Sequence, residues 1–294
     1  MGVIMKTAIT KTALAAAFTA AMGVVSNGAL AALFNPFSVT EASVPGALAN
    51  PALLGNTVGK ITGDYTEMAT FSPISATTGT FAVSLLWNAG QYVAVNGSTV
   101  LASQLGNFSP NQYGMYALFE GSGGFVTSGG STTFTFSPVG SLSLYIDPLS
   151  DTAFIAPATG SGAWTTGLSA DDYLIAYGVP QSGTGTLTPG LSTCIGGGIN
   201  CGSFGTTTSF ALTTTGGPTP TANGAGYFVS PDPFYNFSFQ SGQFDNFNPA
   251  AGGTQTVVGS LDAAFGAAIP EPGSVALLSI GLLSLAMTRT RRGK

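Results

Sequence analysis

The feature that most limits the folds open to this chain is the repeated alternation of short strand-forming runs with clusters of turn residues. Residues 81–87 read F-A-V-S-L-L-W, and Thr alternates with Phe over residues 133–136. Asn96-Gly97, placed between two apolar runs, is a strong signal for a β-hairpin. The body of the chain lacks the 3.6-residue apolar periodicity of a long amphipathic helix. The sequence therefore predicts an all-β fold.

The number of these runs indicates one β-rich domain. Many short strands with regular turns are typical of a single antiparallel β-sandwich or a jelly-roll-like domain, and an open barrel is the alternative. Residues 137–140 (S-P-V-G) are predicted to form a turn between two strands. Residues 181–203 and 213–226, rich in Gly, Ser and Thr, are predicted to interrupt the strand pattern.

The first 31 residues have the composition of a secretory signal peptide. Lys6 and Lys11 provide a positive start, and an Ala-rich apolar stretch covers residues 12–25. Ala29 and Ala31 are small residues at the −3 and −1 positions of a cleavage site. We therefore expect an N-terminal signal helix that is removed on export. An uncleaved membrane anchor is the alternative, although the apolar stretch is short for one.

Three physically different parts follow one another over residues 269–294. They are Pro270, Glu271 and Pro272, then the uncharged residues 274–287, then Arg289, Arg291 and Arg292. A helix of the uncharged part would be roughly 21 Å long, against a hydrocarbon core of roughly 30 Å, so bilayer thinning or snorkelling would make up the difference. The arginines act as a basic stop-transfer signal. They predict a transmembrane helix whose C-terminal end faces the cytoplasm.

This order of features resembles the PEP-CTERM sorting signal, which exosortases process in Gram-negative, exopolysaccharide-making bacteria. The resemblance covers residues 270–292. It implies that Pro270, Glu271 and Pro272 are a processing address for a membrane-embedded cysteine transpeptidase and not catalytic residues of this chain. The implied partners are an exosortase-type enzyme and, transiently, the inner membrane.

A second segment, residues 241–247 (S-G-Q-F-D-N-F), resembles the Gln-Phe-centred segment of the flocculation-associated PEP-CTERM proteins. A structural interpretation applies to the same residues. In that interpretation Ser241-Gly242 is the turn of a hairpin, and Phe244 and Phe247 are core residues. The chain is thus divided into a signal peptide (1–31), a β-rich secreted domain (32–268) and a sorting signal with its transmembrane helix (269–294).

The charge of the body excludes several classes of partner. Of the 7 Lys and Arg and the 12 Asp and Glu in the chain, residues 32–270 keep one cation, Lys60, and 11 carboxylates, which is a net charge of −10. Such a body is repelled by nucleic acids and by anionic lipid. We therefore expect no nucleic-acid partner.

The chain contains no histidine, which removes Ser-His-Asp catalysis and His-ligated zinc. Carboxylate pairs are the remaining candidates for chemistry, either in glycoside hydrolysis or in a calcium site. They are Asp147 with Asp151, Asp171 with Asp172, and Asp64 with Glu67. Aspartates are also common in solvated turns. We therefore expect that the chain is not an enzyme and that it has neither a cofactor nor a metal site.

Cys194 and Cys201 are the only cysteines, with six residues between them, three of which are glycines. In an exported protein a disulfide is the expected state of this pair, and closing so small a loop contributes about 2–3 kcal/mol on the chain-entropy argument. A metal or redox site is the alternative, which the absence of histidine and of C-x-x-C disfavours.

The export features, together with the resemblance to the flocculation-associated PEP-CTERM proteins, imply an exported surface or extracellular-matrix protein that acts with exopolysaccharide as a structural or adhesive component of flocs or biofilm. Self-association through exposed β-edges is a second route to the same role. The alternative is a carbohydrate-binding module. It would need a concave patch of exposed aromatic side chains, for which the candidates are Trp87, Trp164, Tyr173 and Tyr177.

Overall fold

A computed structural model of the chain describes residues 34–106, 112–189, 200–244 and 247–266. The strands within these ranges are β1 (Ser38–Val39), β2 (Val58–Pro73), β3 (Thr78–Ala94), β4 (Gly114–Ser128), β5 (Ser131–Asp147), β6 (Ala153–Ile155), β7 (Thr165–Gly167), β8 (Tyr173–Gly178), β9 (Pro180–Pro189), β10 (Asn200–Thr208), β11 (Ala211–Leu212), β12 (Phe228–Ser230), β13 (Asn236–Phe244) and β14 (Gly253–Gly266). The helical elements are one α-helical turn, α1 (Gly224–Tyr227), and 3-10 turns at Glu41–Ser43, Pro51–Leu53 and Pro249–Ala251. The expectation of an all-β fold is confirmed.

Eight of the strands close into a barrel. Their order around the ring is β5, β4, β3, β2, β14, β13, β10 and β9, and β9 pairs with β5 again. Every pairing in the ring is antiparallel. Closure gives each of these strands two hydrogen-bonded neighbours, so the ring has no free edge.

Strand β5 closes the barrel because its two halves have different partners. The half around Phe134 pairs with β9, whereas residues 142–146 pair with β8. Between the halves, β5 bulges against β4, so that Gly140 lies opposite Gly121. Gly140 has a φ of +136°, and a Cβ there would clash with the carbonyl oxygen of Glu120, so the bend requires glycine. The predicted turn at 137–140 is therefore wrong, because these residues lie within one bent strand.

Aromatic side chains fill the barrel interior. Trp87, Phe119 and Phe239 are fully or almost fully buried. The rings of Trp87 and Phe239 meet edge to face with their centroids 5.7 Å apart, as do those of Phe81 and Phe134. The indole Nε1 of Trp87 donates a hydrogen bond to a carbonyl oxygen of β14 at 3.0 Å. The interior is therefore a packed core.

The expected sandwich or jelly roll, with two separate packed sheets, is wrong. Strands of a sandwich and of a barrel alternate apolar and polar residues in the same way, because both bury one face. The choice between them depends on which strands pair at the ends of the sheet. Here β5 pairs with β9, a contact for which the alternation within each strand gives no signal.

A segment of the chain leaves the barrel after β5 and returns at β8. This excursion, residues 148–172, contains the β6–β7 hairpin. The Gly160 N–H donates to Thr70 Oγ1 at 2.8 Å, and Trp164 Nε1 donates to the Ser84 carbonyl oxygen at 3.2 Å. The excursion thus lies against the outward face of β2 and β3, which explains why Ser84 is only 1% exposed although it points away from the interior.

The predicted signal helix and transmembrane helix lie outside the described residues. Among the residues that the structure describes, no helix has the length and apolar character needed to cross a membrane. The segment 241–247 is described in part. Ser241 and Gly242 belong to β13 and not to a turn, which corrects the hairpin interpretation, whereas Phe247 is a core residue as expected and stacks on Phe71 with the centroids 5.5 Å apart.

Candidate functional site

Three of the carboxylates singled out in the sequence meet at one place. Asp147, Asp151 and Asp171 each offer an oxygen atom, and these three atoms lie within 4.8 Å of one another. Asp147 is buried, Asp171 is half-buried and Asp151 is exposed. We call this group the carboxylate cluster. Two of the predicted pairs, which are 20 residues apart in the sequence, therefore contribute to a single site.

The cluster lies where the excursion leaves and rejoins the barrel. Asp147 is the last residue of β5, and Asp171 comes two residues before β8. Their positions are held by backbone donors: the N–H of Thr152 binds Asp147 Oδ2 at 3.0 Å, and the N–H of Leu149 binds Asp171 Oδ2 at 3.2 Å. Ser150 adopts a left-handed φ of +55° in the turn between them. The chain thus folds back tightly enough to bring the carboxylates together.

The neighbouring Asp172 points to different partners. Its carboxylate accepts hydrogen bonds from the hydroxyls of Tyr116 at 2.7 Å and Thr152 at 2.8 Å. Burial raises the pKa of Asp172, the two hydroxyl donors lower it in part, and the charges of Asp147 and Asp171 raise it further. The negative potential of the cluster therefore extends to this fourth carboxylate.

Asp64 and Glu67 do not form a site together. They are three residues apart on β2, so their side chains point to opposite faces of the strand. Asp64 is exposed on the outside, whereas Glu67 lines a small cavity inside the barrel with Phe71, Phe134 and other apolar residues. Burial raises the pKa of Glu67 to about 7. Because side chains alternate between the two faces of a strand, the sequence spacing alone was sufficient to show that Asp64 and Glu67 cannot form one site.

The aromatic residues proposed for a sugar-binding patch do not form one. Trp87 is in the barrel core and Tyr173 is 3% exposed. Trp164 is half-buried against β3, which leaves Tyr177, at 53% exposed, as the one freely accessible ring of the four. Aromatic side chains in this protein are used mainly to fill the barrel.

The outward face of β14, β2 and β3 is polar. Register places Ser260, Asp64 and Asn88 side by side in one row across the three strands. The next row contains Asp262, Thr62 and Gln91. We call these two rows the polar wall. Asp262 forms an ion pair of 2.7 Å with Lys60, the one cation among the described residues.

One buried polar group was not found from the sequence. The hydroxyls of Tyr92, Tyr113 and Tyr227 meet at one end of the barrel, where Tyr113 lies 2.6 Å from Tyr227 and donates to Glu41 Oε1 at 3.0 Å. Burial raises the pKa of Tyr113 well above its ordinary value, so these phenols stay neutral. The residues are up to 186 positions apart in the chain, and no local pattern links them.

The other predicted site residues lie outside the described ranges. These are the signal-cleavage residues, the processing motif, the basic cluster and one cysteine: Ala29, Ala31, Pro270, Glu271, Pro272, Arg289, Arg291, Arg292 and Cys194. The backbone of Cys201 is described in β10, opposite Thr188 of β9. The disulfide between Cys194 and Cys201 stays a prediction.

Comparison with known proteins identifies no relative. No family model, no curated protein and no solved structure matches this chain. The candidate site is therefore interpreted from its own geometry.

Proposed function

We propose that this chain is an exported surface or matrix protein that is sorted by an exosortase-type enzyme and acts with exopolysaccharide in flocs or biofilm. The observation that carries the structural part of the proposal is the division of side chains between the two faces of the barrel. Most of the large aromatic residues are inside, and the outer face of β14, β2 and β3 presents hydroxyl, amide and carboxylate groups. Such groups can form hydrogen bonds with the hydroxyls of a long, neutral glycan.

This arrangement supports a scaffold more than a module for one defined glycan. A binding module relies on exposed aromatic faces that stack on a sugar ring. Trp87 and Tyr173, two of the four rings considered for that purpose, are in the core. A polar surface without an aromatic groove can make many weak hydrogen bonds along a polymer, with little selectivity between sugars.

The sorting part of the proposal rests on the order of features in residues 270–292. Replacement of Pro270, Glu271 and Pro272 by alanine should leave export intact and should trap uncut protein in the inner membrane. Mass spectrometry of the extracellular and membrane fractions measures both effects. Normal release of the triple variant at its usual mass would refute the assignment of a processing motif.

The polar wall can be tested separately. In a strain that lacks the protein, a variant with Asp64, Asn88 and Ser260 changed to alanine should be exported normally, yet should fail to restore cell aggregation and should lose co-sedimentation with the exopolysaccharide of the host.

The matched control changes three exposed residues on the opposite side of the ring, Ser182, Ser203 and Thr207, to alanine. It should retain both activities. If the wall variant and the control behave like the unchanged protein, the wall is not the contact surface. Selective binding of the unchanged protein to one glycan on an array would instead favour a binding module.

A further inference from the structure

We propose that Asp147, Asp151 and Asp171 bind a calcium ion, which fastens the excursion to the barrel at its two ends. This proposal replaces the expectation, made from the sequence, that the chain holds no metal. It does not depend on the proposed contact with exopolysaccharide.

The ligand set favours calcium over magnesium. Calcium binds oxygen atoms at about 2.3–2.6 Å, so it spans oxygens that are up to about 5 Å apart. Magnesium binds at about 2.0–2.1 Å and spans about 4 Å. The three cluster oxygens lie within 4.8 Å of one another, close enough for one calcium ion to bind all three with little movement of the chain. Magnesium also requires near-ideal octahedral geometry and gives up its water reluctantly, so it is less suited to bind three protein carboxylates directly. Water would complete the coordination on the side of the exposed Asp151.

A second and independent observation is an unsatisfied oxygen atom. Asp147 is 4% exposed, and its Oδ1 has no hydrogen-bond partner among the described residues, whereas its Oδ2 accepts from the Thr152 N–H. A buried carboxylate oxygen without a partner is costly, since ionised groups need compensation away from water. A bound cation supplies that compensation.

The protein offers no cation of its own for this purpose. Lys60 is the one Lys or Arg in residues 34–266, and it pairs with Asp262 on the polar wall. The cluster and the adjacent Asp172 thus form a region of uncompensated negative charge. Three carboxylates with an open side correspond to the weak affinity of extracellular calcium modules, with a Kd of about 10⁻⁴–10⁻³ M.

The ion would have a defined structural effect. Asp147 belongs to β5, Asp171 precedes β8, and Asp151 lies at the start of the excursion. A cation shared by all three joins the departing and returning ends of the same segment. We therefore expect calcium to slow hydrogen exchange in residues 148–172 more than in the ring strands.

The test uses the full chain, freed of metal with a chelator and then titrated with calcium chloride. Calcium at about ten times its Kd should stabilise the folded chain by about 1.4 kcal/mol through mass action and should raise the Tm by a few degrees. Asp151→Asn, a change at an exposed position, should remove this response. Asp64→Asn, at an exposed position on the polar wall, should retain it.

Two further measurements make the result decisive. Asp147→Asn should be at least as stable as the unchanged chain without calcium, because it removes the buried charge, and should show no calcium response. Magnesium chloride at the same concentration should have a smaller effect than calcium. A chain whose Tm and hydrogen exchange do not respond to calcium, an equal response in Asp151→Asn, or an equal effect of magnesium would overturn the proposal.

Discussion

Replacement of Glu67 by glutamine should stabilise the folded chain at neutral and alkaline pH. Glu67 lies on the inward side of β2, in a cavity of about 40 Å³ whose other lining residues are almost all apolar. Burial raises its pKa from 4.5 to about 7. Since one pKa unit corresponds to about 1.4 kcal/mol, ionisation of this carboxyl costs the folded state about 3 kcal/mol. Glutamine has nearly the same shape and never carries the charge.

The direction of the pH dependence follows from the order of the two pKa values. Between pH 4.5 and pH 7 the folded chain holds a proton on Glu67 that the unfolded chain has released. The free energy of unfolding therefore decreases as the pH rises through this window. Below pH 4.5 the carboxyl is neutral in both states and costs nothing, and above pH 7 the full cost applies.

The assay is urea unfolding of the full chain at pH 4 and pH 8, followed by tryptophan fluorescence, to which the buried Trp87 and the half-buried Trp164 both contribute. The stability gained by Glu67→Gln should be about 3 kcal/mol larger at pH 8 than at pH 4. Comparison with the unchanged chain at each pH cancels the other titrating groups. Asp64→Asn, three residues away on the outward face, serves as the control and should show no such difference. A gain from Glu67→Gln that is equal at the two pH values would refute the argument.

Three further predictions concern the barrel and the predicted loop. Gly63→Ala should destabilise the chain by about 3 kcal/mol in urea unfolding, because a Cβ there would clash with the β3 backbone and lie 2.6 Å from the Trp87 indole nitrogen. The control is Gly90→Ala, where the nearest atom to the added Cβ is 3.5 Å away, and it should cost less than about 1 kcal/mol. Tyr113→Phe removes a donor to the buried Glu41 and should cost about 1–3 kcal/mol in the same assay, and an unchanged midpoint would contradict that. Non-reducing mass spectrometry of exported protein should find Cys194 linked to Cys201, and two free thiols would contradict the predicted disulfide.

The sequence was sufficient to predict strands, but not how they join. Alternation identified residues 133–136 and 142–146 as strand segments, and both are in β5. The S-P-V-G residues between them were interpreted as a turn, because the same residue types that end strands also form bulges. Closure of the ring depends on that bulge and on the pairing of β5 with β9. Neither the bulge nor this pairing can be predicted from the alternation of apolar and polar residues along the strands.

In the candidate site, too, contacts between residues close in sequence could be predicted, whereas contacts that depend on strand pairing could not. Asp147 with Asp151 was a reasonable local pair, since four residues in a turn can bring two carboxylates together. Asp171 joins them because β8 pairs with the end of β5, where Tyr173 lies opposite Ile146. The assignment of Trp87 to an exposed patch failed for a different reason. A tryptophan in an alternating strand points either inward or outward, and only the register settles which.

The closed ring limits where this protein can act. The barrel interior is filled mainly by aromatic side chains, and the cavity beside Glu67 has a volume of about 40 Å³, enough for a few water molecules. Every strand of the ring has two partners, so the ring itself offers no free edge for strand addition. On the outer face of the described ring, the polar wall and the carboxylate cluster carry the carboxylates considered above, whereas the opposite side of the ring, on β9 and β10, presents uncharged hydroxyls such as Ser182, Ser203 and Thr207. If the protein holds a matrix together, we expect its adhesion to depend on the residues of the polar wall more than on the uncharged hydroxyls of β9 and β10.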